Sequence, residues 1–263
     1  MADLLPRLVA ETAAMVRFYS RLTIPRLNRF DEPAAMPDFG TAARMLPLAS
    51  IIIGLPAAAA LAAGGQTALP APMLAALALA IQMMTTGVFH EDGLADTADG
   101  FGGGWTRARK LEIMKDSRIG SYGSAALILA TLIRILGYAG LIGAVGATAT
   151  AVLFVAIAVI SRSVVLTIFV ALPAAREDGA GNAAGRPTLA TLALALALSA
   201  AIAGAIGIVI VGAAKTALAL CLVGIGTYVM GRLSARHIQG QTGDVLGATQ
   251  QVTEVLFLVA VLA

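Results

Sequence analysis

Seven times along this chain an apolar run approaches or exceeds the roughly 20 residues that an α-helix needs to cross a bilayer. The runs fall at 45–63, 69–88, 123–146, 148–172, 188–212, 214–231 and 247–263. Inside lipid every backbone N–H and C=O must be satisfied within the protein, and for isolated runs of this length a helix is the way to do it. The expected fold is therefore all-α, a polytopic membrane helical bundle of about seven transmembrane helices (roughly 6–8). The first and last runs are short enough to be tilted, re-entrant or half-inserted. Composition points the same way: 13% of the residues are charged, against about 25% in a soluble domain. Glycine and alanine are scattered through the apolar runs, where they let helices approach closely, and are not gathered into linkers. Residues 1–263 thus read as a single integral-membrane domain without internal repeats. No cleavable signal peptide is expected, because the N-terminus lacks a short apolar core followed by a small-residue cleavage site. The single cysteine, Cys221, lies in an apolar run and excludes an intramolecular disulfide.

Charge sets the expected orientation. Segment 1–44 carries Arg7, Arg17, Arg21, Arg26, Arg29 and Arg44, and loop 89–122 carries Arg107, Arg109, Lys110, Lys115 and Arg118. Loops 173–187 and 232–246 add Arg176, Arg186, Arg232 and Arg236, whereas the alternate loops hold only Lys215. The positive-inside rule then puts the N-terminus and every charged loop in the cytoplasm. If all seven spans are real, the C-terminus lies outside. Topology accounts for the basic balance, so no nucleic-acid partner is implied. Within 4–22 the apolar residues fall near helical spacing, which suits an amphipathic helix lying on the inner membrane surface. The alternative is a plain cytosolic helix packed on the bundle.

The acids are concentrated in segment 89–122, beginning His90-Glu91-Asp92-Gly93-Leu94-Ala95-Asp96-Thr97-Ala98-Asp99-Gly100. Asp92, Asp96 and Asp99 stand at i, i+4, i+7 and share one helical stripe. A merely solvated loop would scatter its carboxylates. Like charges clustered beside a membrane are costly unless something binds them. Mg²⁺ takes hard oxygen ligands and commonly pairs with substrate phosphates, so these three are the expected metal ligands. Glu91 points roughly 100° away from Asp92 and reads as a neighbour. His90 is a candidate general base or donor to a carboxylate, with a structural role as the alternative. Lys115 and Arg118 can neutralise phosphate oxygens. Glu112 and Asp116 read either as ligands or as partners of Arg109 and Lys115.

Further polar segments lie on the same expected face. Ala175-Arg176-Glu177-Asp178-Gly179-Ala180-Gly181-Asn182 is a compact loop, and Gly240-Gln241-Thr242-Gly243-Asp244-Val245-Leu246-Gly247 is Gly-rich with one acid. Gln250 and Glu254 continue a stripe from Gly247. Glu254 lies within the last apolar run, and an intramembrane carboxylate is a functional candidate unless it pairs with a buried cation. Arg134 and Arg162 are the cations available. Arg162 reads equally as a counter-ion or as a ligand for substrate phosphate; Arg134 reads as the more structural of the two.

These motifs, together with Phe18-Tyr19-Ser20-Arg21-Leu22-Thr23-Ile24-Pro25 and Leu111-Glu112-Ile113-Met114-Lys115-Asp116-Ser117-Arg118-Ile119-Gly120, run in order over nearly the whole chain. In this the sequence resembles the cobalamin synthase family, the adenosylcobinamide-GDP ribazoletransferases. It departs at Glu91, where an apolar residue is expected. The resemblance implies a Mg²⁺-dependent, multi-pass enzyme of the bacterial cytoplasmic (inner) membrane with its active site on the cytoplasmic side. Such an enzyme joins adenosylcobinamide-GDP to α-ribazole or its 5′-phosphate and releases GMP, in the late nucleotide-loop assembly of cobalamin biosynthesis. Carried onto this chain, Asp92, Asp96 and Asp99 hold metal and His90 or a free carboxylate takes the hydroxyl proton. Lys115, Asp116, Ser117, Arg118, Arg162, Arg176, Asn182, Thr242 and Asp244 bind substrate. The resemblance leaves room for a homo-oligomer or a complex with other corrinoid enzymes.

Two other readings are weaker. A CDP-alcohol phosphotransferase would need Asp-x-x-Asp-Gly-x-x-Ala-Arg, and Asp92-Gly93-Leu94-Ala95-Asp96 lacks the Ala-Arg pair at the required offset. A transporter should gather its polar residues near the bilayer midplane between broken helices, whereas here they gather at one interface.

Overall fold

The computed structural model describes residues 3–176 and 185–263. Every apolar run listed above becomes helix. Helix α1 spans Leu4–Tyr19, α2 Phe39–Ala42, α3 Leu46–Gly64, α4 Ala71–Thr86, α5 Phe89–Gly103 and α6 Arg107–Ile113. They are followed by α7 Ser121–Val145, α8 Ala147–Ala171, α9 Leu189–Val211, α10 Ala213–Ile238 and α11 Gly243–Leu262. The one departure from helix pairing among the described residues is an isolated parallel bridge between Ala174 and Gln241.

Six helices are long and apolar enough to cross a membrane, and a seventh span results only if α4 and α5 are taken together. That pair is where the structure departs from the expected second span, 69–88. Helix α4 has 16 residues, about 24 Å at 1.5 Å per residue, against a hydrocarbon core of about 30 Å. The chain then passes through two left-handed residues, Gly87 (φ 67°) and Val88 (φ 64°), and α5 leaves at 89°. The helix carrying the acidic stripe is thereby turned across the end of the bundle. The last run, whose manner of insertion the sequence left open, is a 20-residue helix packed against α5, α7, α8 and α10.

The two ends of the bundle differ. Tight turns occupy one, where Gly65 meets Ala147. The polar segments gather at the other, where Thr191 donates to the Gly40 carbonyl at 2.6 Å and Ala175 N–H to the Gln241 carbonyl at 2.8 Å. Helix α1 packs Met15, Val16 and Tyr19 against Phe39, Leu46, Ile53, Leu166 and Phe169, while Leu4 and Leu5 stay exposed. Its ion pairs, Arg44 with Glu11 at 2.8 Å and Arg17 with Asp31 at 2.7 Å, tie it to the chain that follows.

Arg134 is the centre of a buried ion-pair cluster inside the bundle. Arg134, 1% exposed, donates to Glu254 and Glu91 at 3.0 Å each and to Gln251 at 2.9 Å. Tyr138 donates to Glu254 at 2.9 Å, and Gln250 reaches the other Glu254 oxygen at 2.9 Å. Of the two readings open for Glu254, the structure shows the pairing with a buried cation. Glu91 faces this interior rather than the acidic stripe. The cluster joins α5, α7 and α11 through groups that would each be costly alone. Removing one partner of a buried pair costs about 3–5 kcal/mol because the other charge is stranded. Arg134→Leu should therefore lower the melting temperature of detergent-solubilised protein far more than Leu136→Ala, a truncation on the exposed face of the same helix. Equal shifts would show that the cluster adds nothing to stability.

Candidate functional site

The site is set by how closely α5 crosses α11. A Cβ on Gly93 would lie 2.7 Å from the Asp244 carbonyl oxygen, and one on Gly247 would lie 3.3 Å from the His90 Cα. Only glycine at 93 allows the two backbones to meet there, because any side chain would force the helices apart. This contact brings Asp92 and Asp96 into the electrostatic neighbourhood of Asp244, from a segment about 150 residues away in sequence. Thr242 caps α11 by accepting from Val245 N–H at 3.4 Å, and Asp244 sits in the first helical turn, where the helix dipole favours a negative charge. Arg176 pairs with Asp244 at 3.1 Å. The Arg176 segment is held by the Ala174–Gln241 bridge and by Arg107, which donates to the carbonyls of Ile238 and Ala175 at 2.8 and 2.9 Å.

The carboxylates strain one another. Asp96 is pushed up to about 7, first by burial and then by Asp92, Asp244 and Asp99, with Arg176 pulling the other way. No group of three or more His, Cys, Asp or Glu side chains among the described residues is already gathered to hold a metal. Mg²⁺ does not need such a cage, since one or two carboxylates usually suffice alongside water and substrate phosphates. An all-oxygen, mutually repelling set made of Asp92, Asp96 and Asp244 fits a hard divalent cation in chemistry and in charge.

Asp99 goes elsewhere. Its two oxygens accept from Gly120 N–H at 2.7 Å and Gly123 N–H at 2.9 Å, at the start of α7. A Cβ on either glycine would lie within 2.4 Å of that carboxylate. The stripe thus divides: two acids face Asp244, and the third caps a neighbouring helix.

Beside the acids lies a cavity of about 270 Å³ enclosed by α1, α2, α5, α8 and the start of α11. Phe18, Tyr19, Phe39, Phe89 and Phe169 form its walls, and Asp92, Arg176, Thr242 and Asp244 stand at its polar rim. Phe39 contacts Phe18 and Phe169 edge-on, with centroids 5.0 and 5.6 Å apart. The His90 ring is parallel to Tyr19 at 6.2 Å. Burial, and then the charges of Arg162 and Arg134, hold His90 well below the usual histidine range, so its imidazole is neutral at physiological pH. Arg162 lines the cavity from the middle of α8 and is 3% exposed.

Other expected site residues lie apart. Asp116 and Arg118 are joined by hydrogen bonds of 2.6–3.2 Å, which hold the Asp116 carboxyl down at about 2. Neither they nor Lys115 and Ser117 line the cavity. Asn182 lies outside the described residues. What sequence reasoning missed is the aromatic wall, which uses four of the chain's eight phenylalanines. Their scarcity was the available signal, but four different elements supply them.

A family model described as cobalamin-5-phosphate synthase matches residues 11–262. An adenosylcobinamide-GDP ribazoletransferase from Azorhizobium caulinodans is 43% identical over 256 residues, covering 97% of this chain and 96% of the relative. The one from Xanthobacter autotrophicus is 44% identical over 259 residues, covering 98% and 97%. The one from Sinorhizobium medicae is 40% identical, covering 94% of each. No solved structure matches the chain.

The divided stripe makes a stability prediction. Losing a helix cap costs about 1–2 kcal/mol, so Asp99→Ala should lower the melting temperature measurably. Asp92→Ala removes an exposed charge from a repelling cluster and should leave it unchanged or raise it. A destabilising Asp92→Ala with a neutral Asp99→Ala would reverse the assignment.

Proposed function

The chain belongs to the cobalamin-5-phosphate synthase family, and from that membership we propose that it joins adenosylcobinamide-GDP to α-ribazole or α-ribazole 5′-phosphate with release of GMP. The observation that carries the reading is a near-full-length family match whose acidic motif contributes His90 and Asp92 to the lining of an aromatic cavity. A ribose hydroxyl attacks the phosphorus on the corrinoid side of the diphosphate. The new P–O bond forms as the bond to GMP breaks, GMP leaves with the electron pair, and the hydroxyl proton passes to a base. Such a transfer needs positioning and charge neutralisation more than covalent help.

Asp92, Asp96 and Asp244 would hold Mg²⁺, which when bound supplies charge neutralisation for the diphosphate. Arg176 orients Asp244 and offers a second positive group to a phosphate oxygen. A carboxylate not engaged by metal would accept the hydroxyl proton, because the burial and arginine charges that hold His90 well below the usual histidine range make its imidazole a weak base. Lys115 and Arg118, exposed outside the cavity, would meet the departing GMP from solvent. We further assign the polar end of this multi-pass protein to the cytoplasm, since the arginine-rich segments gather there and both substrates are water-soluble.

Two measurements test this. Solubilised protein given adenosylcobinamide-GDP, either ribazole form and Mg²⁺ should yield the corrinoid product and GMP. Asp96→Asn should cut turnover by about 100-fold or more yet raise the melting temperature at pH 8, because it replaces a carboxylate whose charged form the fold disfavours. Near-normal turnover in that variant would sink the assignment. The second is Mg²⁺ affinity against pH. Protons compete for Asp96, whose folded value lies near 7, well above its ordinary 3.8. Affinity should therefore fall as pH drops through 7 and level off above about 8. A flat profile would remove Asp96 from the metal site.

A further inference from the structure

Arg162 is the buried charge that the ion pairs do not explain. Arg134 takes both nearby carboxylates directly, at 3.0 Å each. Arg162 has no carboxylate among the described residues within ion-pair distance; its Nη1 donates a long hydrogen bond to the Ala158 backbone carbonyl at 3.4 Å. Its buried Nε has no partner among the described residues. An arginine that is 3% exposed and incompletely bonded is costly, and this one lines the cavity together with His90 and Gln250. The space beside it is small and aromatic. A cavity of about 270 Å³ walled by aromatic rings suits the flat base of a nucleotide. The wall of Phe18, Tyr19, Phe39 and Phe169 offers edges and faces to a flat ring, while a planar guanidinium suits a phosphate.

Resting on the reaction proposed above, we infer that this cavity is the ribazole subsite and that Arg162 is the anchor for the 5′-phosphate. The aromatic base of the incoming nucleotide lies against the phenylalanines and the phosphate meets Arg162. The ribose is left facing the rim, where Asp92 and Asp244 meet the diphosphate. The corrinoid substrate approaches from the polar face and never enters. Arg162 thus makes the cavity selective for the phosphorylated over the unphosphorylated ribazole.

The test compares the two ribazole forms in solubilised full-length protein. In Arg162→Gln the ratio of kcat/KM for α-ribazole 5′-phosphate over α-ribazole should fall about tenfold or more, carried by KM, with the KM for adenosylcobinamide-GDP unmoved. Arg162→Lys should recover part of the ratio. An unchanged ratio, or equal losses for both forms, would overturn the anchor, since a structural role does not distinguish them. If Arg162→Gln does not fold, Val165→Phe, which fills the cavity from the same helix, decides whether the cavity takes ribazole. It should raise the KM for α-ribazole 5′-phosphate and spare that for adenosylcobinamide-GDP; the opposite pattern, or no change, overturns the subsite. Wild-type protein that turns over neither ribazole form would instead defeat the proposed reaction, which keeps the two failures apart.

Discussion

The crossing of α5 over α11 is the contact on which the rest depends. Gly93 and Gly247 let the backbones meet, and three consecutive residues of α5 then enter three environments. His90 faces the aromatic cavity, Glu91 turns inward to Arg134 and Gln251, and Asp92 stands at the rim. Successive residues on a helix diverge by about 100°, so a helix lying across the end of a bundle can serve a cavity, a buried ion-pair cluster and a solvent-facing acid cluster together. A helix running parallel to its neighbours would bury all three positions at similar depth. The 89° turn after α4 is therefore part of the site's construction, and Val88 carries its cost in a conformation that β-branched residues rarely adopt.

Much of this was legible in the sequence. Long apolar runs leave the backbone little alternative to helix, so the bundle followed from run length alone. The i, i+4, i+7 spacing correctly put Asp92, Asp96 and Asp99 on one face of one helix. Periodicity cannot say what that face meets, however. Asp99 looked like its two neighbours until the α6–α7 connection brought Gly120 and Gly123 against it. The second apolar run looked like a span because hydropathy does not register a left-handed pair at Gly87 and Val88. Arg134 read as the more structural of the two intramembrane cations, and packing bears this out by bonding it to two carboxylates, while Arg162 has none among the described residues within ion-pair distance. The aromatic wall was invisible for the same reason: its members are far apart in sequence.

The electrostatics separate into two regions with opposite characters. Inside the bundle, Arg134, Glu91 and Glu254 satisfy one another. Beside the cavity, Asp92, Asp96 and Asp244 lie together with Arg176 as their counter-charge, and burial first and carboxylate repulsion second push Asp96 up to about 7. Apart from Arg162, which faces the cavity, the deep charges are paired while the shallow ones conflict, so the unfavourable electrostatics are concentrated where a soluble ligand can relieve them. The interior cluster keeps the crossing helices in place, so the strained acids cannot drift apart to lower their own repulsion.

The placement of His90, Glu91 and Asp92 also bears on how this segment can change over time. Replacing any one of them alters a single environment. Deleting or inserting one residue between Val88 and Gly93 would rotate everything beyond it by a quarter turn or more. An acid would then be driven into the aromatic cavity or an imidazole into the ion-pair cluster, and Gly93 would leave the spot where its missing side chain is required. The region should therefore accept divergence in letters far more readily than any change in length, and its spacing is a more durable hallmark than its residues.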